Sequence, residues 1–141
     1  MNKKKLYLIF NIAVWTPWGL ACTLAPFLVT DIIGVKSLHP SGETDMRAMY
    51  GGFQLAMGLM ALHALVNPRF FKSFVYALGV IGSCLALSRT YGLFIDDSFT
   101  IYTLGVLGYE LFAGISGLIW LYSLSGQTTS NTANGQYQAS S

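Results

Sequence analysis

Hydrophobic positions in this chain are gathered into long apolar runs that short polar stretches separate. Each run comes close to the roughly 20 residues that a helix needs to cross a bilayer core about 30 Å thick. The runs cover residues 6–27, 46–66, 70–94 and 100–124. They predict four transmembrane helices that together form one domain, residues 1–124, with no separate soluble domain.

Residues 125–141 have a different character, because they are polar, uncharged and rich in Ser, Gly, Thr and Asn. A segment of this composition cannot bury enough apolar surface to offset the entropy lost on ordering. We therefore expect a disordered polar tail after the last transmembrane helix.

The composition supports a membrane protein. Of the 141 residues, 53% are hydrophobic and only 10% are charged, with a mean hydropathy of +0.52. Soluble domains carry about 25% charged residues. The net charge of +2 is small and its bases are dispersed, so nucleic acid is not an expected partner. We predict an all-α integral membrane protein, an antiparallel four-helix bundle whose main partner is the lipid bilayer.

The loop charges predict the orientation. Basic residues lie before the first run and between the second and third: Lys3, Lys4, Lys5, Arg69 and Lys72. The other two loops are mostly acidic: Glu43, Asp45, Asp96 and Asp97 against Lys36. By the positive-inside rule both termini face the cytoplasm of a bacterial inner membrane.

Small residues indicate which helix faces point at neighbouring helices, because helices in lipid associate through close packing and interhelical hydrogen bonds. Stripes with helical spacing occur in the last three runs: Arg47, Tyr50, Gly51, Gln54 and Gly58; Gly79, Gly82, Ser83, Ala86 and Thr90; Glu110, Ala113, Gly114 and Gly117. Polar side chains share these inward faces.

These stripes define a candidate polar cluster open to the periplasmic side: Arg47, Tyr50, Gln54, Arg89 and Glu110. Glu110 lies near the middle of its span, where a charge costs at least about 2.5–3.5 kcal/mol on insertion scales. It must be protonated, paired or next to water, and Arg89 is within reach. Three roles are open for this cluster: it joins the helices, it binds a ligand or a proton, or it contacts another membrane subunit.

Three acids outside the spans form a secondary set: Glu43, Asp96 and Asp97. Each precedes a predicted helix, where a side-chain oxygen caps free N–H groups and a carboxylate complements the helix dipole. Capping and a role in the site both remain open for them.

Motifs for a bound cofactor or metal are not evident. His63 and His39 do not stand at metal-ligand spacing, and there is no Gly-rich phosphate loop or Ser-His-Asp pattern. We predict no cofactor, no metal ligands and no catalytic residues.

The stretch "ETDMRAMYGGFQLAMG" resembles a family of small bacterial four-helix membrane proteins of unknown function, which are DoxX-like. The shared pattern is an acid-x-x-x-Arg-Ala-x-Tyr-Gly-Gly motif, read here from Glu43 to Gly52. Arg89, Gly92, Glu110 and either Asp96 or Asp97 match further positions. The resemblance covers the chain to about residue 125 and implies the bundle architecture without an established activity.

Three functions are therefore expected, in this order. The leading one is a non-enzymatic membrane protein that binds a small molecule or lipid through the polar cluster, or serves as an accessory subunit of a membrane partner. The second is a proton-coupled transporter that acts as a homodimer and exchanges protons at Glu110. The third, a quinone-linked redox subunit, is implied only by the DoxX-like resemblance.

Overall fold

The computed structural model describes the backbone of residues 2–139 and the side chains of residues 2–124. Within that part of the chain the protein is all-α and has no strand. Its helices are α1 (Lys3–Leu24), α2 (Pro26–Ile33), α3 (Pro40–Met46), a π-helical segment (Arg47–Gly52), α4 (Phe53–Val66), a 3-10 turn (Pro68–Phe70), α5 (Phe71–Ile95) and α6 (Ile101–Ala139).

Four helical stretches of the described residues are long and apolar enough to cross a membrane: Lys3–Leu24, Pro40–Val66, Pro68–Ile95 and Ile101–Leu124. These are the four predicted spans, with ends that differ by a few residues. The predicted tail covers residues 125–141; the backbone of residues 125–139 continues α6, and the side chains of this stretch lie outside the described residues. The protein is thus a multi-pass membrane protein.

The first span ends earlier than the predicted boundary at residue 27. Helix α1 stops at Leu24, and Ala25 has a non-helical backbone with φ −138° and ψ 62°. A proline disfavours helical geometry in the residue before it, yet fits the first position of a new helix. Pro26 therefore begins α2, which ends at Gly34 with φ 76°, where the backbone N–H of Gly34 donates to the Thr30 carbonyl.

The second span begins earlier than the predicted boundary at residue 46. Pro40 opens α3 in the first helical position, and Glu43 lies in its first turn. Helix continues from there through the π-helical segment into α4 without a break. The connection between the first two spans is thus shorter than the gap between the predicted runs, because proline has the backbone angle that starts a helix.

The chain divides into two compact units, Met1–Phe71 and Lys72–Ser141. In the first unit, α1 packs closely against the π-helical segment and α4. A Cβ on Gly51 would lie 2.9 Å from the Thr23 nitrogen, and one on Gly58 would lie 3.2 Å from the Thr16 nitrogen. A Cβ on Gly19 would lie 2.7 Å from the Leu55 nitrogen. Glycines on both helices therefore permit backbone contact, as small residues do in membranes.

In the second unit, α5 and α6 meet at two pairs of glycines. A Cβ on Gly82 would lie 2.6 Å from the Gly114 nitrogen. A Cβ on Gly117 would lie 2.6 Å from the Gly79 nitrogen and 2.7 Å from its Cα. The small-residue stripes predicted for the third and fourth spans thus face each other.

We predict that Gly117→Ala destabilises the protein, because the added methyl group meets backbone atoms that no side-chain rotation can move. Overpacking of this kind costs about 1–3 kcal/mol. The control is Gly108→Ala in the same helix, where a Cβ meets no atom within 4 Å. Thermal unfolding of both variants in one detergent, followed by circular dichroism, should lower the midpoint only for Gly117→Ala. Equal midpoints for the two variants would contradict close packing at Gly117.

Candidate functional site

An ion pair between Arg89 on α5 and Glu110 on α6 is the central polar feature of the second unit. Arg89 Nε donates to Glu110 Oε2 at 2.8 Å, and Arg89 Nη2 donates to Glu110 Oε1 at 2.8 Å. Both carboxylate oxygens are thus held by one planar guanidinium group. The predicted contact between these two side chains is present, in the bidentate geometry that gives the strongest charge-assisted hydrogen bonds.

The small-residue stripes explain why these two side chains meet. Arg89 lies two helical turns after Gly82, and Glu110 lies two turns before Gly117, so each shares a face with a glycine of the α5–α6 contact. A Cβ on Gly82 would lie 3.1 Å from the backbone oxygen of Glu110. The glycines let the backbones approach, and this approach brings the acid within reach of the arginine.

The depth of the pair makes it energetically important. At about 1.5 Å per residue, Glu110 lies about 14 Å into α6 from Ile101, and Arg89 lies about 9 Å from the end of α5 at Ile95. An unpaired charge at such depth is costly, and each member of this pair neutralises the other. The exposed fractions differ, because the Arg89 side chain is 28% exposed and the Glu110 side chain only 6%. Arg89 is therefore the accessible member.

Arg47 in the first unit has a different partner. Its Nη1 donates a hydrogen bond to the backbone carbonyl oxygen of Thr23, in the last turn of α1. The last carbonyl oxygens of a helix receive no hydrogen bond from an N–H of their own helix. A cation placed there also offsets the negative end of the helix dipole. Arg47 thus caps α1 from the neighbouring helix.

The motif that contains Arg47 forms the π-helical segment Arg47–Gly52. Its wider hydrogen-bonding pattern is seen where the Phe53 N–H donates to the Ala48 carbonyl, five residues earlier. π-Helical turns are rare and frequently occur at functional sites.

The π-helical segment changes the predicted inward stripe, because the wider turn shifts the angular position of each residue relative to a 3.6-residue period. Gly51 is buried against α1, whereas Tyr50 beside it is 36% exposed. Gln54 is half-buried. The structure therefore differs from the prediction that Tyr50 follows the glycines into the interior.

The secondary acids are all exposed. Glu43 lies in the first turn of α3, as the helix dipole favours. The prediction that Asp96 and Asp97 cap α6 is wrong, because Thr100 Oγ1 accepts the hydrogen bond from the Thr103 N–H at 3.1 Å. Asp96 instead ends α5 by donating its N–H to the Gly92 carbonyl, and Asp97 occupies a left-handed turn with φ 49°.

Sequence reasoning missed a second buried polar side chain, Asn11 on α1, which is 0% exposed. Its Nδ2 donates to the Tyr7 carbonyl at 2.9 Å, and its Oδ1 accepts from Trp15 Nε1 at 3.3 Å. The signal was available, since Trp15 follows Asn11 by four residues and side chains at that spacing meet on a helix. Among the described residues, no group of three or more His, Cys, Asp or Glu side chains could hold a metal ion.

Comparison with protein-family models identifies a family for this chain. The family model described as a domain of unknown function, DUF4345, matches residues 4–121, which is most of the chain. The matched range includes Arg47, Arg89 and Glu110. No curated protein and no solved structure matches the sequence.

The adjacent glycines of the π-helical segment provide a matched pair of variants. A Cβ on Gly51 would meet Thr23 Oγ1 and would lie 2.9 Å from the Thr23 nitrogen, whereas one on Gly52 would meet only the Arg47 oxygen at 3.9 Å. We predict that Gly51→Ala lowers the thermal unfolding midpoint and Gly52→Ala does not, with a difference of about 1–3 kcal/mol. A larger loss for Gly52→Ala would contradict the packing of this segment on α1.

Proposed function

This chain belongs to the DUF4345 family, whose function is unknown, and we propose from its own residues that it binds a polar small molecule or lipid headgroup at Arg89. The ligand presents a hydrogen-bond acceptor or acidic group to the exposed part of the Arg89 side chain, which is 28% exposed. In this proposal the protein is a non-enzymatic inner-membrane protein with both termini in the cytoplasm, acting alone or as an accessory subunit.

The observation that carries this proposal is the unequal exposure of the bidentate ion pair. Glu110 is almost fully buried and uses both of its oxygens to hold the guanidinium plane in one orientation, while Arg89 keeps an exposed surface. An arginine held in a fixed plane recognises carboxylate, phosphate or carbonyl oxygens without losing much further side-chain entropy. Arg89 contacts the ligand, and Glu110 positions Arg89.

A purely structural ion pair is the competing explanation, and energetics alone do not favour it. Taking two charges out of water costs several kcal/mol per ion, and well-packed apolar residues often join helices equally well. Intramembrane charged residues mark functional sites for this reason. The wider predicted cluster, which adds Arg47, Tyr50 and Gln54, stays a prediction.

Proton-coupled transport by a homodimer is the second hypothesis. It requires Glu110 to exchange protons, but both oxygens of Glu110 accept hydrogen bonds from Arg89, so protonation of the acid would have to break the ion pair. Ligand binding does not require that step, and we therefore rank it first. A quinone-linked redox role rests only on the DoxX-like resemblance and stays a prediction.

Exchange of the two charges tests the proposal. Arg89→Gln alone should destabilise the protein by about 3–5 kcal/mol, because it leaves a buried carboxylate unpaired. The double variant Arg89→Glu with Glu110→Arg restores an ion pair and should recover most of the thermal unfolding midpoint. It should nevertheless lose the co-purifying small molecule or lipid, because an acid now occupies the accessible position. Native mass spectrometry of protein extracted gently with its lipids measures this retention.

Arg89→Lys provides a second test that does not depend on the double variant folding. Lysine keeps the charge but not the planar two-point contact, so retention should fall more than stability. If the charge-exchanged variant retains the same molecule at the parental ratio, the ion pair only joins the helices and the proposed function is wrong.

A further inference from the structure

A second charged surface lies at one end of the first unit, far along α1 from the Arg47 cap. It consists of Lys3, Lys4, Lys5 and Arg69, here called the basic end. Lys3, Lys5 and Arg69 are exposed and Lys4 is half-buried. The basic end joins the first turn of α1 to the turn that follows α4, two segments that are distant in sequence.

A cation–π contact brings these two segments together. Lys4 Nζ lies 5.3 Å from the centre of the Phe71 ring, a distance at which the ring attracts the ammonium group. Phe71 is buried and directly follows the 3-10 turn that contains Arg69. Lys4 therefore lies beside the turn that contains Arg69, and Lys3 and Lys5 flank Lys4 in the first turn of α1.

No acid of the first unit lies near the basic end to neutralise it. The acids of this unit are Asp31, Glu43 and Asp45, and all of them lie between the end of α1 and the π-helical segment. Because Arg47 and Gly51 contact Thr23 while Lys4 contacts Phe71, α1 and α4 are antiparallel, and the acids belong to the opposite end. Within the first unit, the basic end thus carries four positive charges with no acid at the same end, which favours binding of an anion.

The position of the basic end indicates which kind of anion it binds. Its residues begin the first span and connect the second to the third, so they lie at the level of the lipid phosphates. Exposed apolar side chains adjoin it, since Leu6 is 55% and Phe70 49% exposed, and Phe70 is held by ring contact with His63 at 4.2 Å. A phospholipid would place its phosphate against the basic residues and its acyl chains against Leu6 and Phe70. A free phosphate ion would contact only the basic residues.

We propose that the basic end binds the headgroup of an anionic phospholipid, with its phosphate against Lys3, Lys5 and Arg69 and its acyl chains against Leu6 and Phe70. Lys4 is held in place by Phe71 and adds to the local positive potential. This site is separate from Arg89, so it does not depend on the function proposed for the ion pair.

Titration of the full-length protein with phosphatidylglycerol, followed by native mass spectrometry in detergent, tests the proposal. Phosphatidylcholine with the same acyl chains controls for general lipid contact. Arg69→Gln should weaken phosphatidylglycerol binding about fivefold, because each basic residue near a lipid surface contributes about 1 kcal/mol. Arg69→Lys should keep the parental affinity. Lys3→Gln, Lys5→Gln and Arg69→Gln together should weaken binding further and leave phosphatidylcholine binding unchanged.

Lys36→Gln is the matched control, because it removes one exposed positive charge from the same unit at the opposite end of α1. It should leave phosphatidylglycerol binding unchanged. An equal loss of affinity in Lys36→Gln and Arg69→Gln would show that only net charge matters and would overturn the site. Equal affinity for the two lipids in the parent protein would also overturn it.

Discussion

The hydrocarbon interior of a bilayer offers no hydrogen-bond partners, and this constraint shapes every level of the protein. Backbone groups within the spans are satisfied by helices, the arrangement that lipid requires of a single unpaired segment. Buried polar side chains must likewise find their hydrogen-bond partners within the protein. Across residues 2–124, every buried side-chain nitrogen and oxygen has a hydrogen-bond partner. Asn11 satisfies its amide within α1, and Glu110 satisfies both oxygens through Arg89.

The two arginines of the spans meet this constraint in different ways, and the difference bears on function. Arg47 donates to a main-chain carbonyl at the end of α1, so it joins two helices and stabilises a helix terminus. Arg89 is held by a side chain, and its own side chain stays partly exposed. Glu110 holds the Arg89 side chain in one orientation without covering it fully, which makes the Arg89 site the better candidate for contact with a ligand.

Close backbone approach is the other requirement for both sites. In the second unit, Gly82 and Gly117 bring α5 and α6 near enough for a short acid to reach an arginine. In the first unit, Gly51 lies against Thr23, directly beside the Arg47 cap. Arg47 and Gly51 both belong to the π-helical segment, and both meet Thr23 of α1. Packing and polar pairing are therefore parts of one arrangement in each unit.

The sequence by itself determined the four spans, because long apolar runs have few alternatives in water or in lipid. It also made the Arg89–Glu110 contact one of three expectations, since an acid at the depth of Glu110 must be protonated, paired or next to water and Arg89 lies within reach; the structure shows the pair. Only the tertiary structure decided the partner of Arg47, because the free carbonyl of Thr23 depends on where α1 ends and how α4 packs on it. The π-helical segment was likewise beyond a pattern read at 3.6 residues per turn, so the exposure of Tyr50 followed from packing and not from periodicity.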